Sequence, residues 1–320
     1  MKSTPARNRV VISIATTMAL ALAATPAAAQ QTPTVQERLG HPPDSRLLIL
    51  HADDLGMSHS VNRATFEALE QGWITSASIL VPCPWFPEVA RFVSTHQDLD
   101  VDLGIHLALN SEWTSFRWGP ASPVDEVPSL LDEEGYLPLL EPMVVAQARP
   151  GEVERELRAQ IERARTAGIP ISHLDSHMGT LFRSEALFEV YRRVGAEYDL
   201  PILVERRGDR TAFTAAAQSE ALLDEVLSIS PGVPAQEWLT EYKRLLAPLP
   251  PGVYQLIVHL GYDDAEMQGA TWDHPDWGAA WRQSDLDLVR SQAFRDFLVE
   301  QGFVLIDWAD LDRARRPADR

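Results

Sequence analysis

The stretch Arg46-Leu47-Leu48-Ile49-Leu50-His51-Ala52-Asp53-Asp54-Leu55-Gly56 decides the fold. Residues 46–51 form an apolar run with almost no polar alternation, the pattern of a strand buried on both faces of a parallel sheet. Such a strand needs a crossover helix, and residues 58–71 supply one, with Val61, Ala64, Thr65 and Ala68 on one face and Gly72 as a stop. The same alternation continues to the end of the chain. Further strands are predicted near 76–81, 102–107, 171–175, 202–204, 254–258 and 304–306, and helices at 86–96, 152–167, 185–198, 216–229, 236–246 and 285–301. About seven strands alternating with helices predict an α/β fold, a single-domain TIM-like (β/α) barrel. An open doubly wound sheet is the structural alternative. No GxGxxG or GxxxxGK[ST] segment follows any of these strands, so a nucleotide cofactor finds no support.

Ahead of this domain, residues 1–29 read as a secretory signal peptide. Lys2, Arg7 and Arg9 precede an apolar run that ends in Ala27-Ala28-Ala29. The run falls short of the roughly 20 residues needed to span a bilayer, so cleavage after Ala29 and an exported, periplasmic or secreted protein are expected. A polar leader follows over 30–44, and the barrel is expected over 45–315. The lone cysteine, Cys83, excludes a disulfide framework. The net charge of -18 argues against nucleic acid and anionic membranes as partners. Two irregular stretches, 111–150 and 261–281, are long for ordinary connections and are expected to lie over the site.

The groups able to hold a metal or move a proton fall at the ends of predicted strands. Asp53 and Asp54 follow the first, His106 closes the third, Asp175 and His177 follow the fourth, and His259 follows the sixth. In a barrel these positions converge on one face. Two adjacent buried carboxylates repel each other unless a cation lies between them. One carboxylate plus two imidazoles is a common open ligand set for a divalent metal, and the second carboxylate is then free to take a proton from water.

Four motifs carry a resemblance. His51-Ala52-Asp53-Asp54-Leu55-Gly56 with Asn62, Gly104-Ile105-His106-Leu107, His173-Leu174-Asp175-Ser176-His177 and Val258-His259-Leu260-Gly261-Tyr262 together resemble the YdjC-like (ChbG/HpnK) carbohydrate deacetylases. The resemblance implies a distorted (β/α) barrel that removes N-acetyl groups from amino sugars with one divalent metal. Carried over by position, it implies Asp54, His106 and His177 as ligands, Asp53 as general base and His259 as general acid. Zn²⁺ suits the ligand types, and Mg²⁺, Mn²⁺ or Co²⁺ are also admitted. Family members often place a further His two residues after the third motif. Here the chain reads Met178-Gly179-Thr180, which leaves the ligand set intact and puts the substrate pocket in question.

Other residues have two readings. His173 is either a fourth ligand or structural, and Asp175 either orients a ligand imidazole or caps a helix. Glu112 and Trp113 directly follow the His106 strand, and Trp118, Trp272, Trp277 and Trp281 sit in the long loops, either to stack on sugar faces or to pack the loops. Arg206 and Arg207 either contact substrate or pair with Asp53 or Asp175. His41, His59, His96 and His274 are expected to be solvated. The function expected is deacetylation of an N-acetylated glycan, oligosaccharide or glycolipid; hydrolysis of an O-acetyl or ester bond and a non-catalytic sugar-binding barrel are the alternatives.

Overall fold

The computed structural model describes Met1 and residues 33–206 and 222–316. The signal segment past Met1 and Arg207 lie outside the described residues. Those from Pro33 onward belong to one compact unit. Its seven strands are β1 (Arg46–Leu55), β2 (Ser76–Ile79), β3 (Leu103–Leu107), β4 (Ile171–Ser176), β5 (Glu225–Leu227), β6 (Gly252–Val258) and β7 (Phe303–Leu305). Every pairing among them is parallel. The order is β4-β3-β2-β1-β6-β5, with β7 beside the first half of β1. Single parallel bridges from Leu174 to Ile202 and from Glu205 to Leu223 link the two outer strands through residues 201–205. The result is the distorted (β/α) barrel expected from the alternation.

β1 is the central staple. It pairs with β6 over Arg46–Ala52, with β7 at its start and with β2 at its end. Leu47, Leu48, Ile49, Leu50 and Ala52 are all buried, as an unbroken apolar run requires. Three elements differ from expectation. Residues 202–204 form a bridge rather than a strand, because Pro201 has no N–H and gives the ladder only its carbonyl, which accepts from Leu174. The described end of the expected 216–229 helix is instead strand β5, where Val226 and Leu227 find ladder partners on β6 that override helical spacing. The expected 285–301 helix is two helices, Ala279–Arg290 and Gln292–Glu300, divided at Ser291, whose side chain caps the second. Within the leader, a capping box at Thr34 starts a short helix whose Val35 enters the core. Among the described residues, no helix is long and apolar enough to cross a membrane.

The barrel interior carries a polar thread. His51 Nδ1 meets Ser76 Oγ at 2.9 Å, and that hydroxyl donates to Asp102 Oδ1 at 2.5 Å, so the imidazole is the donor to Ser76. Its Nε2 faces Asp53 Oδ1 and Asp175 Oδ2, each at 3.2 Å. The two carboxylates favour a proton on Nε2 as well, with Ser78 Oγ a further neighbour at 3.0 Å. Burial opposes the charge, but hydrogen bonding to Asp175 and Asp53 outweighs it and lifts His51 to about 9. His173, below it, stacks on Trp308 at 4.7 Å, and its ring fills the space a side chain at Gly104 would need, 2.3 Å from where that Cβ would sit.

A histidine whose value rises from 6.5 to about 9 on folding contributes stability in full below pH 6.5 and loses it as pH climbs through 9. The contribution is on the order of 3 kcal/mol by one conversion of 1.36 kcal/mol per unit. Metal-free wild-type protein should therefore lose stability across this window more steeply than His51→Gln. Urea denaturation from pH 6 to 9.5 measures it; equal slopes for the two proteins would show that His51 is not a buried cation.

Candidate active site

The two aspartates on β1 are aimed by a local irregularity. Adjacent residues of a regular strand point to opposite faces. Between Ala52 and Leu55 the register against β2 shifts, and Asp54 adopts φ 65°, a left-handed conformation that an aspartate tolerates better than most residues. Both carboxylates thereby line one pocket. The turn behind them is fixed by Asn62, whose Oδ1 accepts from Gly56 N at 2.7 Å while its amide donates to Glu88.

Three strand ends bring the remaining groups together. Asp54 Oδ1 lies 3.6 Å from His106 Nε2 and 3.4 Å from His177 Nδ1. One ligand atom from each residue falls within 4.8 Å of the others, a spacing that can hold a cation. Asp54 Oδ1 is buried with no hydrogen-bond partner, which is what a carboxylate oxygen awaiting a metal would show. Each imidazole is fixed from behind. His106 Nδ1 donates to Asp175 Oδ1 at 2.7 Å, and His177 Nε2 donates to Glu112 Oε2 at 2.8 Å. The opposite nitrogen of each ring is thus the one free to bind a metal. Burial works against charge at every one of these groups, and their neighbours reverse it. Coulombic attraction from Glu112 and Asp54 raises His177 to about 10, Asp175 raises His106, Arg282 holds Asp54 well below the carboxylate range, and His106 does the same for Asp175.

His259, at the end of β6, behaves differently. Its Nε2 is 3.9 Å from Asp53 Oδ2, and its ring packs 5.0 Å from that of Trp281. Burial pushes it down to about 4, so it is neutral at rest. Its backbone N–H donates to Asp285 Oδ2 at 2.8 Å, and Asp285 in turn accepts from Trp238 and Tyr242. The site opens into a cavity of about 350 Å³. A larger cavity, about 1030 Å³, lies around Asp98, Asp102 and Arg316 and holds none of these groups, so the smaller one is the reaction pocket on chemical grounds.

The structure thus brings Asp53, Asp54, His106, Asp175, His177, His259, Glu112 and Trp113 to one place. Asp175 orients His106 rather than capping a helix. Trp272 and Arg206 are not among the pocket-lining residues. Trp272 is 66 % exposed and spends its indole N–H on Ser115, joining the two long loops together with a Thr114–Asp273 hydrogen bond. Arg206 pairs with Asp224 at 3.1 Å, on the neighbouring chain segment, and not with Asp53 or Asp175. His274, expected in solvent, lines the pocket beside Trp277. His59 pairs with Glu88 at 2.8 Å. Sequence reading missed Arg282, which donates from Nη2 to Asp54 Oδ2 at 2.7 Å, and Asp285. Both lie on the helix Ala279–Arg290 in the ordinary setting of a polar helix face, and only their burial, 2 % and 0 % exposed, marks them.

Comparison with known proteins bears on the same residues. The family model for YdjC-like protein matches residues 47–300. A carbohydrate deacetylase of Thermus thermophilus is 36 % identical over 263 residues, covering 80 % of this chain and 90 % of the relative. One from Brevibacillus brevis is 28 % identical over 273 residues, covering 82 % and 99 %. Among solved structures, a candidate cellobiose-phosphate cleavage protein from Enterococcus faecalis superposes with a TM-score of 0.71 at 23 % identity, over 83 % of this chain and 99 % of that one, which bears on the fold. Since the family model's match runs from β1 through the helix after Ser291 and so takes in every strand that supplies a site residue, the chain belongs to the YdjC-like family.

Proposed function

We propose that this chain is a metal-dependent hydrolase that removes the N-acetyl group from an amino sugar of a glycan, oligosaccharide or glycolipid. The observation that carries the reading is Asp54, His106 and His177 with their ligand atoms converged, beside a second carboxylate, Asp53, and a neutral imidazole, His259, in one pocket. The carbohydrate deacetylase relatives support the substrate class. The basic residues and apolar run within residues 1–29 support export.

A divalent ion held by Asp54, His106 and His177, Zn²⁺ by ligand type or Mg²⁺, would supply Lewis acidity that makes water nucleophilic at neutral pH. The protein's own groups do the rest. Asp53 takes a proton as water adds to the acetamide carbon. The C–N bond then breaks, acetate leaves, and the nitrogen must gain a proton to depart as amine. His259 is placed to deliver it. Because burial keeps the ring neutral at rest, it becomes an acid only after receiving the water's proton from Asp53, 3.9 Å away. Trp277, half exposed at the pocket, offers indole surface suited to a sugar face.

Metal-stripped protein should release no acetate from N-acetylated oligosaccharides and should recover on adding Zn²⁺ or Mg²⁺, with one new amine per acetate. Acetate without amine would identify an ester substrate, and stoichiometric metal binding without any release would favour sugar binding alone. Asp53→Asn should keep the metal and lower kcat about 100- to 10,000-fold; turnover equal to wild type would remove Asp53 as the base.

A further inference from the structure

Arg282 is held in the pocket by two of its nitrogens and leaves a third without a partner. Nε donates to the Trp277 carbonyl at 3.2 Å and Nη2 to Asp54 Oδ2 at 2.7 Å. The guanidinium lies over the Trp113 ring at 5.6 Å, and its stem rests on Gly261, where an added Cβ would sit 3.1 Å from Arg282 Cβ. The side chain is 2 % exposed, yet Nη1 is buried with no hydrogen-bond acceptor while Arg282 lines the reaction pocket.

An unmet N–H of a charged group in a buried site is destabilising, so an acceptor is expected to arrive with the ligand. The guanidinium is planar, so fixing Nε and Nη2 fixes Nη1 as well. It also places Nη1 next to Asp54, whose other oxygen faces His106 and His177. We infer that Arg282 is a catalytic residue whose Nη1–H donates to the carbonyl oxygen of the acetyl group and holds the negative charge that gathers there as water adds. The inference rests on the deacetylase reading. The bond changes are those of hydrolysis: water oxygen joins the carbonyl carbon, the C–N bond breaks, and Arg282 keeps all its protons. A lysine would retain one charge beside Asp54 but not the second, rigidly placed donor.

Arg282→Lys and Arg282→Gln test it with three readouts: metal stoichiometry, kcat and KM on a substrate that the wild type turns over, and calorimetric affinity of the metal-free protein for acetate. Both variants should bind one metal per chain and lose kcat about 100- to 1000-fold, the usual effect of removing one preorganised oxyanion donor. Arg282→Gln should bind acetate at least about tenfold more weakly, one hydrogen bond to a charged group lost. Lysine-variant turnover within about threefold of wild type, or full recovery at high metal concentration, would reduce Arg282 to a support for Asp54 and overturn the inference. If the wild type releases no acetate from any substrate, the deacetylase reading fails, and the acetate affinities alone decide: equal values overturn the donor role, and a tenfold difference upholds it.

Discussion

Three buried carboxylates, Asp53, Asp54 and Asp175, share one mouth of the barrel, and the rest of the site is arranged around their mutual repulsion. Two like charges 4 Å apart repel by about 4 kcal/mol at an effective dielectric of 20. The fold answers with basic groups placed beside them: His51 between Asp53 and Asp175, Arg282 against Asp54, and His106 and His177 between carboxylates of their own. Buried ion pairs of this kind seldom add net stability, because desolvation offsets the attraction. Their persistence is therefore a functional matter. Asp54, His106, Asp175 and His177 each have a partner at the rear, and the atoms left bare, Asp53 Oδ1, Asp54 Oδ1 and Arg282 Nη1 among them, belong to residues that line the pocket.

The helix Ala279–Arg290 matters as much to this balance as the strands do. From one face it supplies Arg282 to β1 and Asp285 to the backbone of His259. Asp285 accepts from Trp238, Tyr242 and His259, yet burial still raises it to about 6. Its position ties the end of β6 to the outer helices, so His259 is held by its main chain and its imidazole is left facing Asp53. Gly261 contributes by having no side chain, since an added Cβ would sit 3.1 Å from Arg282 Cβ and crowd the stem that reaches Asp54.

How much of this was legible in the sequence follows from the range of each interaction. The run at 46–51 and its repeats are local patterns, so the strands and the barrel could be read directly, and so could the acids and histidines at strand ends. The extension of β1 to Leu55 could not, because it depends on a register shift against β2 that no local pattern encodes. β5 was mistaken for helix because its three residues are too few for a period and its identity comes from β6. Arg282 lies 228 positions from its partner Asp54, and Glu112 lies 65 from His177. Nothing in a helix face announces such a choice. The tryptophans divide on the same ground: Trp272 found a hydrogen-bond partner in the facing loop and stayed exposed, whereas Trp113 found the Arg282 guanidinium and was buried.

The turn after β4 sets the opposite wall of the pocket, and its backbone restricts what that wall can carry. Met178 and Gly179 both take left-handed conformations, φ 51° and 64°, directly after His177. A glycine adopts this region freely, and a side chain with a Cβ does so at a penalty of about 1–2 kcal/mol. Met178 bears that penalty with its sulfur accepting from Asn110 at 2.6 Å, while Thr180 donates to the same Asn110 from the other side of the turn. A second strained side chain at 179 would add to the load on one turn. The wall there is therefore bare backbone beside a thioether, with no imidazole. Polar recognition of a substrate must then come from the other lining groups, Glu112, Glu141, Ser176, Ser228, His274 and Arg282 among them.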